Sequence, residues 1–323
     1  MDITALVGLS QPLTKLIEVI SSGIGAISQP MLTMLNANAN AYAIKKIAPV
    51  TRENHELLNI ECNDNHLSIS TDESQILNRI NSRITHQEVT RQKNIENIVL
   101  NTVQELKHEE TVTTEPVNKD WITRFFNITQ DVSDEDMQLI WGKLLAGEVK
   151  KPKSYSLRTL ELLKNISSDE AATFMKVAKL AITSPDSSFI LDDDNYLENN
   201  YTIIFADLLQ LAELGLIQRN LSIFLSQESN DLTVMFTQGK FYITIKKIAN
   251  SNNINIPIIK FTTIGNQLLS LIHVAGDKEY VQKFSTQLIR DYTTVEYGLY
   301  DPKTTDIVQV LYSSNDQSQP EKV

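Results

Sequence analysis

The stretch Val132–Ser167, VSDEDMQLIWGKLLAGEVKKPKSYSLRTLELLKNIS, lies in the most organised part of the chain, Trp121 to Ser184, and sets the reading of the rest. Ser133 stands three residues before Asp136, a capping box with Asp in the place of Glu, and Asp134 to Asp136 suit the positive end of a helix. Leu139, Ile140, Leu144 and Leu145 follow at helical spacing with Trp141 among them, and Gly147 reads as a stop. A second helix starts at Leu157 and carries Leu160, Leu162 and Leu163. Ser167 or Ser168 then caps a third, running through Phe174, Val177, Leu180 and Ile182. Upstream, Trp121, Ile122, Phe125 and Phe126 make an aromatic-rich helix. Short amphipathic helices with short connections predict a compact antiparallel bundle over 119–185.

Between the first two helices lies the sharpest surface feature, the loop Lys150, Lys151, Lys153 and Arg158 interleaved with Tyr155. Four cations beside a helix N-terminus are the chemistry of an anion clamp. The plainer reading is a solvated loop whose charges offset a neighbouring acidic surface.

Composition supports a helical chain. The 323 residues hold 41% hydrophobic and 21% charged residues, which is globular. Only 10 Gly and 9 Pro argue against a chain full of tight turns. One cysteine, Cys62, excludes an internal disulfide framework and a cysteine-based zinc site. The net charge of −11 disfavours a non-specific nucleic-acid coat, so nucleic acid ranks low among partners.

The charge is uneven: residues 51–120 carry −6 and residues 186–323 carry −7, while the parts between are near neutral. These shifts suggest an uncharged apolar helical segment over 1–48, a long polar helix and acidic linker over 49–118, and the central bundle over 119–185. An α+β domain over 186–300 and a flexible tail over 301–323 would follow.

No charge occurs from Val19 to Ile44. Ser10 reads as an N-cap with Pro12 in the first turn. Leu13, Leu16, Ile17, Ile20, Ile24 and Ile27 form an apolar row that offers an oligomer or membrane contact, or else packs on the chain's own core. The run is too interrupted for a signal peptide or a conventional spanning helix. Ile76, Ile80 and Ile84, then Ile95, Val99, Val103 and Leu106, predict one long helix or two in tandem with a solvated middle.

The C-terminal part reads as helix (Phe205 to Leu214), strand from Leu216, hairpin (Leu232–Phe236 and Phe241–Ile248 around Gln238–Gly239), strand (Ile254–Phe261) and a Thr-capped helix. That order looks like a winged-helix module over about 201–272. Its would-be recognition helix offers Asp207, Gln210 and Glu213, which suits a protein-binding or structural wing better than a DNA reader.

No phosphate loop and no nucleophile elbow is present, so no cofactor is expected and an enzyme is not the favoured class. Asp192, Asp193 and Asp194 lack the alternation and glycine of a calcium loop and read as solvated. His55, His66, His86 and His108 lack ligand spacing.

The motifs GLSQPLTKLIEVISSGIG (8–25), RQKNIENIV (91–99) and the opening stretch together resemble a bacterial family filed as domain of unknown function 2806, over about residues 8–272. The resemblance implies architecture and a bacterial cytoplasmic setting, with which a single cysteine agrees. The expected fold is mainly α, a helical N-terminal and central bundle with a C-terminal α+β winged-helix-like unit. The expected function is a non-enzymatic bacterial interaction protein that self-associates as a homo-oligomer. A protein partner, a membrane surface reached through the N-terminal segment, and a part in phage defence are further expectations. The alternative is a nucleic-acid-associated regulator using the wing and the basic loop.

Overall fold

The computed structural model describes residues 10–25, 60–63, 66–69, 73–185, 187–225, 232–247, 254–289, 293–302 and 304–314. The chain divides into two compact units, Met1–Leu160 and Glu161–Val323.

In the first unit, α1 (Gln11–Ile24) begins behind Ser10, with Pro12 in its first turn. A short antiparallel hairpin, β1 (Ile60–Asn63) and β2 (His66–Ile69), precedes α2 (Glu73–Leu106), a single helix of 34 residues. α3 (Lys119–Thr129) and α4 (Glu135–Lys150) complete the unit. Asn118 caps α3 by accepting from the Trp121 amide, and Asp134 caps α4 by accepting from the Met137 amide.

The core follows from the apolar periodicity. Ile95, Ile98, Val99, Val103 and Leu106 of the second half of α2 are buried, as are Trp141, Leu144, Leu145 and Val149 of α4. Phe125 stacks on Trp121 at 5.1 Å and meets Trp141 edge-on at 5.6 Å, so α3 and α4 are joined by rings. α2 and α4 approach so closely at Gly142 that an added Cβ would lie 2.6 Å from Asn101 Cβ. At the same crossing Thr102 Oγ1 donates to the Gly142 carbonyl at 3.2 Å. A buried polar pair sets the register one end further on: Gln138 Nε2 donates to Asn94 Oδ1, and Asn94 Nδ2 donates to the Gln130 carbonyl.

The division between units falls inside α5 (Leu157–Asn165). In the second unit, α6 (Ser168–Ala178) starts with a complete capping box between Ser167 and Glu170. Strands β3 (Ile182–Thr183), β4 (Ser188–Leu191), β5 (Ile217–Leu225), β6 (Leu232–Gln238), β7 (Phe241–Lys247), β8 (Ile254–Phe261), β9 (Thr293–Tyr300) and β10 (Ile307–Ser313) form one sheet. Their order is β10-β9-β7-β6-β3-β4-β8-β5, and every neighbouring pair is antiparallel. Helices α8 (Phe205–Glu213), α9 (Thr263–Leu269) and α10 (Lys278–Leu288) pack with it, and α7 (Asp194–Tyr201) is tied to β5 through Asp194 and Arg219. α10 lies against β7 and β9, and its Phe284 meets Phe236 and Phe189 at 5.2 and 5.7 Å. α8 ends in a Schellman motif, with Leu216 N donating to Leu211 O and Gly215 N to Ala212 O.

This sheet overturns the mainly-α expectation and the winged-helix unit. The hairpin β6–β7, read as a wing, is interior: β6 pairs β3 on its far side and β7 pairs β9. A wing must be free, and this hairpin is not. The residues assigned to a tail supply β10, a whole strand. The composition argument failed because strands of seven to nine residues need few turns, and some corners use non-glycine residues in left-handed conformation, such as Thr305 at φ 62°. The helix expected to run through Ile182 ends at Ala178, and Ile182 is in β3. α6 belongs to the sheet unit, while the second half of α2 belongs with α3 and α4, so the groupings 49–118 and 119–185 are not those of the fold.

Two local readings also change. Asp134, not Ser133, is the N-cap of α4, and Ser133 Oγ instead accepts from Asn94 Nδ2. α4 runs past Gly147 to Lys150.

Asp134→Ala should cost about 1 kcal/mol, the usual value of a lost cap. Trp141→Ala should cost about 3–5 kcal/mol, since its side chain is fully enclosed. Urea titration measures both. Trp121 and Trp141 are both buried, so tryptophan emission should be blue and resistant to iodide. A red, readily quenched emission would contradict the aromatic core.

Candidate functional site

The basic loop is built around a carboxylate. Glu148, in the last turns of α4, is 1% exposed. Its Oε1 accepts from the Lys153 amide at 2.7 Å and its Oε2 from the Tyr155 amide at 3.1 Å. The Ser154 amide adds to the same carboxylate. Burial pushes the Glu148 carboxyl above its usual range, while these amides and Lys15 pull the other way. Lys153 adopts a left-handed backbone at φ 71°, which turns successive amides inward. Gly147 makes room for the loop, because a Cβ there would lie 2.7 Å from the Tyr155 ring. Tyr155 in turn is fixed through its carbonyl, which accepts from Trp121 Nε1 at 2.9 Å.

The groups that sequence reasoning gave to an external anion are therefore largely engaged. The loop amides hold Glu148, and the α5 N-terminus holds Ser156, whose Oγ accepts from the Thr159 amide at 3.2 Å. Lys150 pairs with Glu109 at 2.8 Å, and Lys153 pairs with Glu115. Lys151 and Arg158 are exposed and have no ion-pair partner among the described residues. An anion at this loop would have to be held by those two.

The same loop straps down the linker 107–117. Thr113 N donates to Lys150 O at 3.4 Å, and Lys15 Nζ donates to Thr113 O at 2.7 Å. Lys15 is 8% exposed, and desolvation lowers its pKa against the opposing pull of Glu115, Glu148 and Glu18. A groove of about 480 Å³ runs between α1 and this linker, with Gln11, Thr14, Glu18, Thr114 and Lys119 on its walls. Sequence reading missed Lys15 and Glu148. The signal was a lone Lys on an apolar helix face and a lone Glu between Gly147 and Val149.

The N-terminal row is spent largely on the core. Leu16, Ile17 and Ile20 are at most 1% exposed, and α1 packs on α3 and α4. Leu13 and Ile24 are half-buried, and Ile27 lies outside the described residues. Among the described residues no helix is long and apolar enough to cross a membrane, and no group of three His, Cys, Asp or Glu side chains is placed to hold a metal ion.

The triple aspartate is a clamp and not the solvated loop expected. Asp193 caps α7 by accepting from the Tyr196 amide, and Asp192 and Asp194 both hold Arg219 Nη2 at 2.8 Å.

Glu148→Ala leaves buried amides without an acceptor and should cost about 2–4 kcal/mol, with Glu148→Gln costing less. The unfolded chain releases the Glu148 proton in the ordinary carboxylate range, and the fold releases it later. Over that window the fold holds the extra proton, so this group's contribution falls as pH rises through it and is flat above. Stability curves between about pH 4 and about pH 7 should therefore slope down more for wild type than for Glu148→Gln. A steeper fall in the Gln variant would contradict the assignment.

Neither the curated proteins nor the solved structures include a match to this chain. A family model, described as "Protein of unknown function (DUF2806)", matches residues 78–285, from the second turn of α2 to α10. That range takes in the Glu148 loop, and it covers more than half of the chain. The chain belongs to this family.

Proposed function

We propose that this chain acts by self-association, as an interaction protein without chemistry of its own, and that two copies meet along the first half of α2. One observation carries this reading. Ile76, Leu77, Ile80 and Ile84 are 37, 59, 36 and 47% exposed, on a helix whose second half is core. An apolar row at four-residue steps along a helix is the pattern of a buried face, and here nothing in the described residues buries it.

The row is also symmetric about its middle. A twofold axis at Ile80, with the helices antiparallel, sets Ile76 of one copy against Ile84 of the other, so the stripe is self-complementary. The stretch from Glu73 to Thr90 is about 25 Å long at 1.5 Å per residue, enough for a pair of helices to pack. The N-terminal row is a poorer candidate. Leu16, Ile17 and Ile20 would have to leave the core before they met a second copy or a lipid surface.

Ile80→Asp tests the reading. Its side chain is exposed in the single chain, so the variant should fold with its helix content unchanged, its melting temperature lowered only by the stabilisation that the lost contact supplied. The subunit count by light scattering should fall. An unchanged count in a folded Ile80→Asp protein would overturn the proposal, and vesicle binding that survives the change would place any lipid contact elsewhere.

A further inference from the structure

We draw no further inference here: the strongest candidate, the groove between α1 and the linker 107–117 with the buried amine of Lys15 on its wall, is open only among the described residues, Lys15 Nζ already donates to the Thr113 carbonyl, and nothing in the structure shows what fills it.

Discussion

The carboxylate of Glu148 is the constraint on which the first unit depends. A carboxylate taken out of water needs donors, and the loop after α4 supplies them by turning the amides of Lys153 and Tyr155 inward. Once the loop is wound in that way, Tyr155 lies over Gly147 and its carbonyl is placed for the indole of Trp121. Trp121 anchors the ring stack that holds α3 against α4. On the other side, Lys150 and Lys153 reach Glu109 and Glu115, and Lys15 reaches Thr113, so linker and α1 are fixed by the same turn. The exposed ion pairs add little in water. The buried carboxylate cannot be left unpaired, and it gives the loop a single conformation.

Local signals read the helices well and the sheet poorly, for a physical reason. Caps, apolar spacing and stop residues act within a few residues, so α1, the long α2, α3 and α8 were legible, as was the burial of Trp141. The hairpin β6–β7 was also legible, because Gln238 and Gly239 make a local turn. What the hairpin pairs with is not local. Thr183 of β3 meets Thr237, and Tyr242 meets Gly298, across separations of more than fifty residues. Nothing near Tyr242 says that residues after 292 will lie beside it. The wing therefore became an interior hairpin, and the tail became an edge strand.

At the site the balance was similar. The residue types of the basic loop were visible, and so was the option that its charges meet an acidic neighbour. Which amides face inward was hidden, since it depends on the left-handed turn at Lys153, a residue that rarely adopts it. A run of four cations suggests an anion from outside. Here the sequence carries an anion of its own, two residues before the pair Lys150 and Lys151 begins, and burial of that single Glu148 redirects the whole loop.

Where apolar surface is spent decides what is left for partners. The first unit draws its core from α1, the second half of α2, α3 and α4, and the row on α1 that looked most available is consumed there. The second unit draws its core from the strands beneath α10 and from Phe174 against Phe261. Two of the rows that are open among the described residues, Ile76 to Ile84 on a helix and Ile307 to Val310 on a strand, differ in what they can accept. A helix has satisfied its backbone and offers only side chains, so any partner of the right shape and polarity fits it. A strand edge has not, and its backbone demands another strand in register. A contact at the α2 row would be set by side-chain packing alone, whereas one at a strand edge would be fixed first by the backbone and only then by the side chains along it.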